Sequence, residues 1–155
     1  KGYDDVEFLI STNPGESLKP LSQVASGGEL SRIMLAIKTV LAGRDEIDTL
    51  IFDEIDTGIS GRTAWKVAEQ LSVLSGAHQV ICITHLPQIA AMADVHFVIE
   101  KSSTDDMTIT DIHKVSAEES LAELARLLGS DALTEAALSN AKEMKEQAGM
   151  FKETR

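Results

Sequence analysis

Two short apolar runs that each end in ionisable residues constrain the fold of this chain more than any other feature. Residues 50–52 (Leu-Ile-Phe) stop at Asp53 and Glu54, and residues 80–84 stop at His85. Uninterrupted apolar runs of this length are typical of parallel strands with both faces covered. Amphipathic helical patterns lie before, between and after the two runs. The sequence therefore predicts an α/β fold, with a mainly parallel sheet flanked by helices.

The other segments predict a peripheral β-hairpin and C-terminal helices. Helical periodicity covers residues 30–41, 64–74, 87–92, 116–128 and 133–148, and strand-like patterns cover 6–11, 95–100 and 107–113. We expect Ser116 and Glu119 to form a capping box at the start of the fourth helix, and residues 150–155 to fray. A length of 155 residues predicts a single domain, 1–155.

Charge and cysteine content exclude several classes of protein. The 25 acidic and 14 basic side chains give a formal net charge of −11, which supplies no global field for attracting DNA. No apolar run approaches the roughly 18 residues of a membrane span. The single cysteine, Cys82, cannot form a disulfide within the chain, so the composition fits a reducing compartment, and we expect Cys82 in the core.

The acids that follow the first apolar run are candidates for chemistry. In open α/β sheets, ligands bind in the crevice outside the carboxyl ends of the strands. There Asp53 can hold Mg²⁺ through water, and Glu54 can orient or deprotonate an attacking water. A solvated loop is the alternative, and taken alone the two acids do not decide. His85 ends the next strand, so all three side chains are expected around one crevice, which favours function over a structural histidine.

A third candidate is the segment that precedes the first helix. Ser26 suits the N-cap of that helix, and Glu29 is the matching residue of a capping box. That structural reading leaves Gly27 and Gly28 unexplained, because each weakens a helical turn by roughly 1 kcal/mol relative to alanine. Two glycines at the positive end of a helix allow backbone amides to approach a phosphate closely. We therefore interpret Gly27 and Gly28 as part of a phosphate-binding site.

In this order the segments resemble the head of an ABC-type ATPase. Residues 26–29 resemble its signature motif, 50–54 its Walker B strand, 57–61 its D-loop and 84–85 its switch-histidine loop. The longer strings 24–36, 52–61 and 84–91 look like the RecN family, bacterial ATPases of DNA double-strand-break repair that are related to structural-maintenance-of-chromosomes (SMC) proteins. The resemblance spans nearly the whole chain.

The resemblance implies a role for each motif. Asp53 would bind the Mg²⁺ of MgATP through water, Glu54 would be the general base, and His85 would sense the γ-phosphate. The signature residues would contact ATP held by a second head, so that ATP joins two heads; they are Ser26, Gly27, Gly28 and Glu29. The D-loop residues would be Gly58, Ser60 and Gly61. Many ABC proteins carry an aspartate where this chain has Ser60-Gly61, which argues against a transporter and leaves the role of Ser60 open.

The phosphate-binding Walker A loop is missing, because no Gly-x-x-x-x-Gly-Lys-[Ser/Thr] occurs in the sequence. The resemblance therefore implies the C-terminal lobe of a split head, with Lys1 just beyond a returning coiled coil. The isolated chain is expected to bind ATP poorly and to hydrolyse almost none. The implied partners are its own N-terminal Walker A lobe, a second head and DNA, with no membrane, in the bacterial cytoplasm at the nucleoid. The alternatives are a head lobe of another SMC or ABC ATPase, and a non-catalytic interaction module.

Overall fold

A computed structural model describes residues 2–11, 15–23, 26–41, 44, 46–104, 107–129 and 133–154. The helices in these ranges are α1 Gly27–Leu41, α2 Gly61–Leu74, α3 Pro87–Met92, α4 Ala117–Leu127 and α5 Glu135–Glu153, with a 3-10 turn at Leu21–Gln23. The strands are β1 Leu9–Ile10, β2 Lys19–Pro20, β3 Thr49–Phe52, β4 Gln79–Cys82, β5 Phe97–Thr104 and β6 Met107–Lys114. No helix among the described residues is long and apolar enough to cross a membrane.

The two apolar runs form a parallel pair, as their pattern predicts. Strands β3 and β4 align with Thr49 opposite Gln79 and Phe52 opposite Cys82. The chain crosses from one strand to the other through α2, which suits a βαβ unit. Because the strands are parallel and in register, their carboxyl ends lie side by side. The loops that carry the predicted site residues therefore leave the same edge of the sheet.

Only one face of this parallel pair is covered by the described residues. Side chains on the inner face, such as Phe52, pack against a buried cluster from the helices: Leu35, Val67, Ala68, Leu71, Leu74, Ile89, Met92 and Ala148. The side chains of the opposite face are open, with Ile51 68% exposed, Ile81 44% and Ile83 48%. The prediction that both faces are covered is thus wrong for this chain, because no described layer packs on the second face.

The other two strand pairs are antiparallel, so parallel pairing is confined to the central strands. Strands β5 and β6 form the predicted hairpin and are longer than their apolar patterns, with Thr104 paired to Met107. Strands β1 and β2 pair over two residues each. The sequence also predicts a turn at Asn13-Pro14-Gly15 and a helix end at Gly43, and of these, residues 13, 14 and 43 lie outside the described ranges.

The C-terminal helices complete the core. The capping box of α4 is confirmed, since Glu119 N–H donates to Ser116 Oγ and Ser116 N–H donates to the Glu119 carboxylate. Helix α5 continues to Glu153, so the predicted fraying from residue 150 is wrong. Phe151 packs against the core, and Lys152 forms an ion pair with Asp94 at 2.5 Å, which together hold the last turn.

The packing supports the prediction that Cys82 lies in the core. The Cys82 side chain packs against the inner cluster. Burial, with the charges of Asp56 and Asp53, raises the pKa of this thiol to about 12, so Cys82 is protonated at neutral pH and is no nucleophile. Trp65 contacts both buried clusters of the chain and is a packing residue.

Candidate functional site

The loops that follow β3 and β4 enclose a cleft of about 270 Å³ at the carboxyl edge of the parallel pair. Its lining contains the three side chains that the sequence places around one crevice, Asp53, Glu54 and His85. The other lining residues are Asp56, Thr57, Ile83 and Thr84. The structure therefore brings together the acids and the histidine that are far apart in sequence.

Glu54 has a strained backbone. Its φ of 57° lies in the left-handed region, and among the described residues it is the one non-glycine residue with a positive φ. Its N–H donates to Asp53 Oδ1 at 2.9 Å, and its carbonyl accepts from Thr57 N–H at 3.1 Å. Ser31 Oγ also donates to the Asp53 carbonyl at 3.0 Å. Such strain costs roughly 1–3 kcal/mol and persists where surrounding contacts impose it, most often at functional sites.

The glycines at the start of α1 lie directly against the loop of Glu54. A Cβ at position 27 would be 2.5 Å from Glu54 Oε2, and a Cβ at position 28 would be 2.8 Å from the Glu54 carbonyl oxygen. It would also lie 3.0 Å from both the Arg32 guanidinium and Thr57 Cβ. Gly27 and Gly28 therefore have a packing role within the chain. The interpretation of these glycines as part of a phosphate-binding site does not account for that role. The close approach of the first turn of α1 to the Glu54 backbone depends on the absence of a side chain at Gly28.

Ser26 supplies the cap that the sequence predicts for α1. Its Oγ accepts the Glu29 N–H at 3.2 Å, and its carbonyl accepts the Leu30 N–H at 3.1 Å. The side chain of Ser26 is partly buried, and Gly27 beside it is exposed. The tip of α1 is thus a capped, positively polarised end next to the carboxylate of Glu54.

We expect the two glycines to respond differently to alanine. Gly28→Ala should lower the free energy of unfolding by about 1–3 kcal/mol, because the added methyl group meets backbone and Arg32 atoms that cannot move freely. Gly27→Ala is the matched control and should change stability by less than about 1 kcal/mol, since only the end of the flexible Glu54 side chain must shift. Urea unfolding of the 155-residue chain measures both. Equal losses of stability would contradict the proposed close approach.

The helical pattern of residues 30–41 favours Arg32 as a solvated side chain, and the structure corrects this expectation. Its guanidinium donates to the carbonyls of Ile55 at 3.0 Å and Thr57 at 2.8 Å. These two bonds tie α1 to the loop that follows β3. The Ile55 side chain is fully buried, so packing also holds this loop.

Asp56 is a site residue that the sequence reasoning missed. It is only 4% exposed, and its Oδ2 accepts from Thr84 Oγ1 at 2.6 Å and from His85 N–H at 2.9 Å. His85 Nδ1 lies 3.0 Å from the same oxygen. A buried charge is tolerated where hydrogen bonds satisfy it, and here all three donors come from the loop after β4. Asp56 is the third acid of a short polar loop, and nothing in the sequence distinguishes it from a solvated side chain.

The predicted D-loop connects the cleft to α2. Gly58 and Gly61 adopt φ values of 75° and 51°, which favour glycine, so the turn depends on them. Ser60 stands at the N-cap of α2, where its carbonyl accepts the Thr63 N–H at 3.2 Å but its side chain makes no capping hydrogen bond. The exposed Ser60 hydroxyl is therefore not used to stabilise the helix.

The donor set at the cleft fits a magnesium ion bound mainly through water. No group of three or more His, Cys, Asp or Glu side chains in the described ranges has an arrangement that holds a metal by itself. Asp53 offers one carboxylate next to an open cleft, and Mg²⁺ typically takes one or two carboxylates while keeping several waters or phosphate oxygens. A hydrated ion shared with a phosphate group matches these residues, whereas a closed protein cage does not.

A larger cavity, of about 490 Å³, lies between β6, α4 and α5. Its lining includes the cations Lys114, Lys142 and Lys145 together with the carboxylates Asp94 and Glu146. Burial lowers the pKa values of His96 and Lys145, and the ring of His96 contacts Ser120 Oγ at 2.9 Å. We place the functional site at the smaller cleft, because its residues converge from two strand ends and include a strained acid.

The fold defines the class of protein. A solved structure from work on ATP-driven dimerisation and DNA-stimulated activation of SMC ATPases superposes with a TM-score of 0.51 at 24% identity, covering 80% of this chain and 81% of that one. The expectation of an SMC-type head fold is thus confirmed.

Within that class, the resemblance to RecN is confirmed by sequence. The chain is 49% identical over 154 residues to the DNA repair protein RecN of Bacillus subtilis, which covers 99% of this chain and 27% of the relative. It is 54% identical to RecN of Treponema pallidum and 48% identical to RecN of Vibrio cholerae, in each case over 143 residues and 92% of this chain. The chain therefore spans about a quarter of the length of the curated relatives it matches. No family model matches it.

Proposed function

We propose that this chain is the C-terminal lobe of a RecN-like ATPase head that acts in the repair of DNA double-strand breaks. The observation that carries the proposal is the cleft where Asp53, Glu54 and His85 meet at the carboxyl edge of the parallel strands. The same three residue types, in the same order, belong to the Walker B and switch-histidine motifs that the chain resembles.

Each residue of the cleft would have its own role in ATP hydrolysis. Asp53 would hold Mg²⁺ through water, and the ion, when bound, would neutralise charge on the phosphate oxygens. Glu54, which lines the cleft, would accept a proton from the attacking water. His85 would act at the γ-phosphate side. Ser26, with Gly27 and Gly28, would contact ATP that is held by a second head.

The partner lobe is proposed from the open face of the sheet. Ile51, Ile81 and Ile83 present an apolar surface next to the cleft, and α1 has further exposed apolar side chains, among them Met34 and Ile37. Exposed apolar surface of this kind marks an interaction site. We propose that the Walker A lobe covers it and supplies the phosphate-binding lysine that this sequence lacks. DNA would then be contacted mainly by other parts of the protein, because this chain is acidic. The protein would act in the bacterial cytoplasm, at the nucleoid.

Co-expression with the missing lobe tests this function. The isolated 155-residue chain should hydrolyse almost no ATP, whereas its complex with a RecN-type N-terminal lobe that carries Walker A should hydrolyse ATP in a Mg²⁺-dependent way. A phosphate-release assay on both preparations measures the difference. A folded complex without ATPase activity would favour a non-catalytic interaction module, and equal turnover by the isolated chain would contradict the split site.

A further inference from the structure

The loop after β3 holds the loop after β4 through one oxygen atom. Asp56 Oδ2 receives the Thr84 hydroxyl, the His85 backbone N–H and the Nδ1 side of the His85 ring. The carboxylate is 4% exposed, while the His85 side chain is 73% exposed. A buried acid therefore holds Nδ1 of an imidazole that is otherwise largely exposed and lines the cleft.

This contact determines which ring nitrogen carries the proton. An ionised carboxylate oxygen can only accept hydrogen bonds, so Nδ1 at 3.0 Å must be the donor. In the neutral ring the other nitrogen, Nε2, is then unprotonated and can only accept. A neutral His85 held in this way cannot donate a hydrogen bond to a phosphate oxygen, which is itself an acceptor.

We propose that Asp56 is a positioning residue that locks His85 in the Nδ1–H form, so that Nε2 accepts a hydrogen bond from the attacking water. This proposal rests on the ATPase function proposed above. In this proposal His85 accepts a hydrogen bond from the attacking water and does not donate one to the γ-phosphate. Asp56 would act through His85, because its Oδ2 is held by Thr84 and His85.

The protonation state can be measured in the 155-residue chain without any nucleotide. Long-range ¹H–¹⁵N NMR correlations of the His85 ring, recorded over a pH series that extends to the alkaline side, should show the Nδ1–H form of the neutral ring. Asp56→Ala should shift His85 to the Nε2–H form. Asp111→Ala is the matched control, because it removes the carboxylate 3.3 Å from the His113 ring and should leave His85 unchanged. An Nε2–H ring in the unaltered chain would overturn the proposal.

A double-mutant cycle in the complete ATPase then tests whether Asp56 works through His85. Asp56→Ala should lower kcat by roughly 10- to 100-fold with little change in KM for ATP, and Asp56→Asn should not recover the loss, because its amide NH2 can donate to Nδ1 and favour the Nε2–H form. In a His85→Ala background, Asp56→Ala should cost no further activity. Fully additive losses would show that Asp56 acts through the general fold and would overturn the proposal.

The two measurements separate this proposal from the function on which it rests. An inactive complete protein would refute the ATPase assignment, while the NMR result would still decide the Asp56–His85 contact. Conversely, an active ATPase whose His85 carries its proton on Nε2 would refute only the positioning role. Thermal unfolding of each variant of the 155-residue chain identifies any loss that comes from the fold.

Discussion

Glu54→Gln is expected to lower ATP hydrolysis by the complete protein about 100- to 10,000-fold while ATP binding and head dimerisation persist. The amide has the size of the carboxylate but cannot accept a proton from water. Since glutamine meets the same left-handed backbone and the same Gly27 contact, the substitution changes the charge and leaves the shape of the loop. The loss should therefore appear in kcat rather than in nucleotide affinity.

Steady-state phosphate release and a fluorescent-nucleotide titration separate the two effects. Glu118→Gln is a suitable control, because it removes the same charge from an exposed position in α4 and should leave turnover unchanged. Undiminished turnover in Glu54→Gln would show that another group is the base.

Ser26→Arg is expected to abolish ATP-dependent dimerisation while one head still binds nucleotide. Ser26 caps α1 at the tip of the signature turn, where a second head is proposed to bring its ATP. An arginine adds bulk at this tip, and the close packing of Gly27 and Gly28 beneath it leaves no room for the turn to retreat. The matched variant Ser26→Ala removes only the cap, which costs about 1 kcal/mol, and should still dimerise.

Light scattering with and without ATP measures the dimers, and it is best done in the Glu54→Gln background so that ATP persists. Dimers of Ser26→Arg that form as readily as those of Ser26→Ala would contradict a role for the signature turn between heads. Loss of nucleotide binding to a single head would contradict it equally, because it would place Ser26 in its own site.

The elements were predictable where the signal is local. Unbroken apolar runs predict the two parallel strands at residues 50–52 and 80–84. The capping box is predicted from two residues, Ser116 and Glu119. The shared cleft also followed from sequence, since parallel strands with polar carboxyl ends must present those ends at one edge.

What the sequence could not supply depends on contacts between distant segments. Arg32 reads as a surface residue because its partners are backbone carbonyls more than twenty residues away. Asp56 reads as a loop acid for the same reason, since its donors lie on the next strand's loop. The left-handed φ of Glu54 contradicts the local preference of glutamate, and only the surrounding packing imposes it. The uncovered face of the sheet could not be predicted, because a strand with both faces covered and a strand with one open face have the same apolar sequence pattern.

The contact between Gly27 and Glu54 has a thermodynamic consequence. The atoms that would meet a second head and the carboxylate that would activate water lie within one van der Waals contact in a single chain. A partner that binds the tip of α1 and shifts the Glu54 carboxylate changes the free energy of binding at the proposed hydrolytic site. By linkage, binding at that site changes the affinity of the tip of α1 for its partner by the same free energy. Association of heads and the chemical state of the bound nucleotide would then be reciprocal effectors, with no intervening domain needed to connect them.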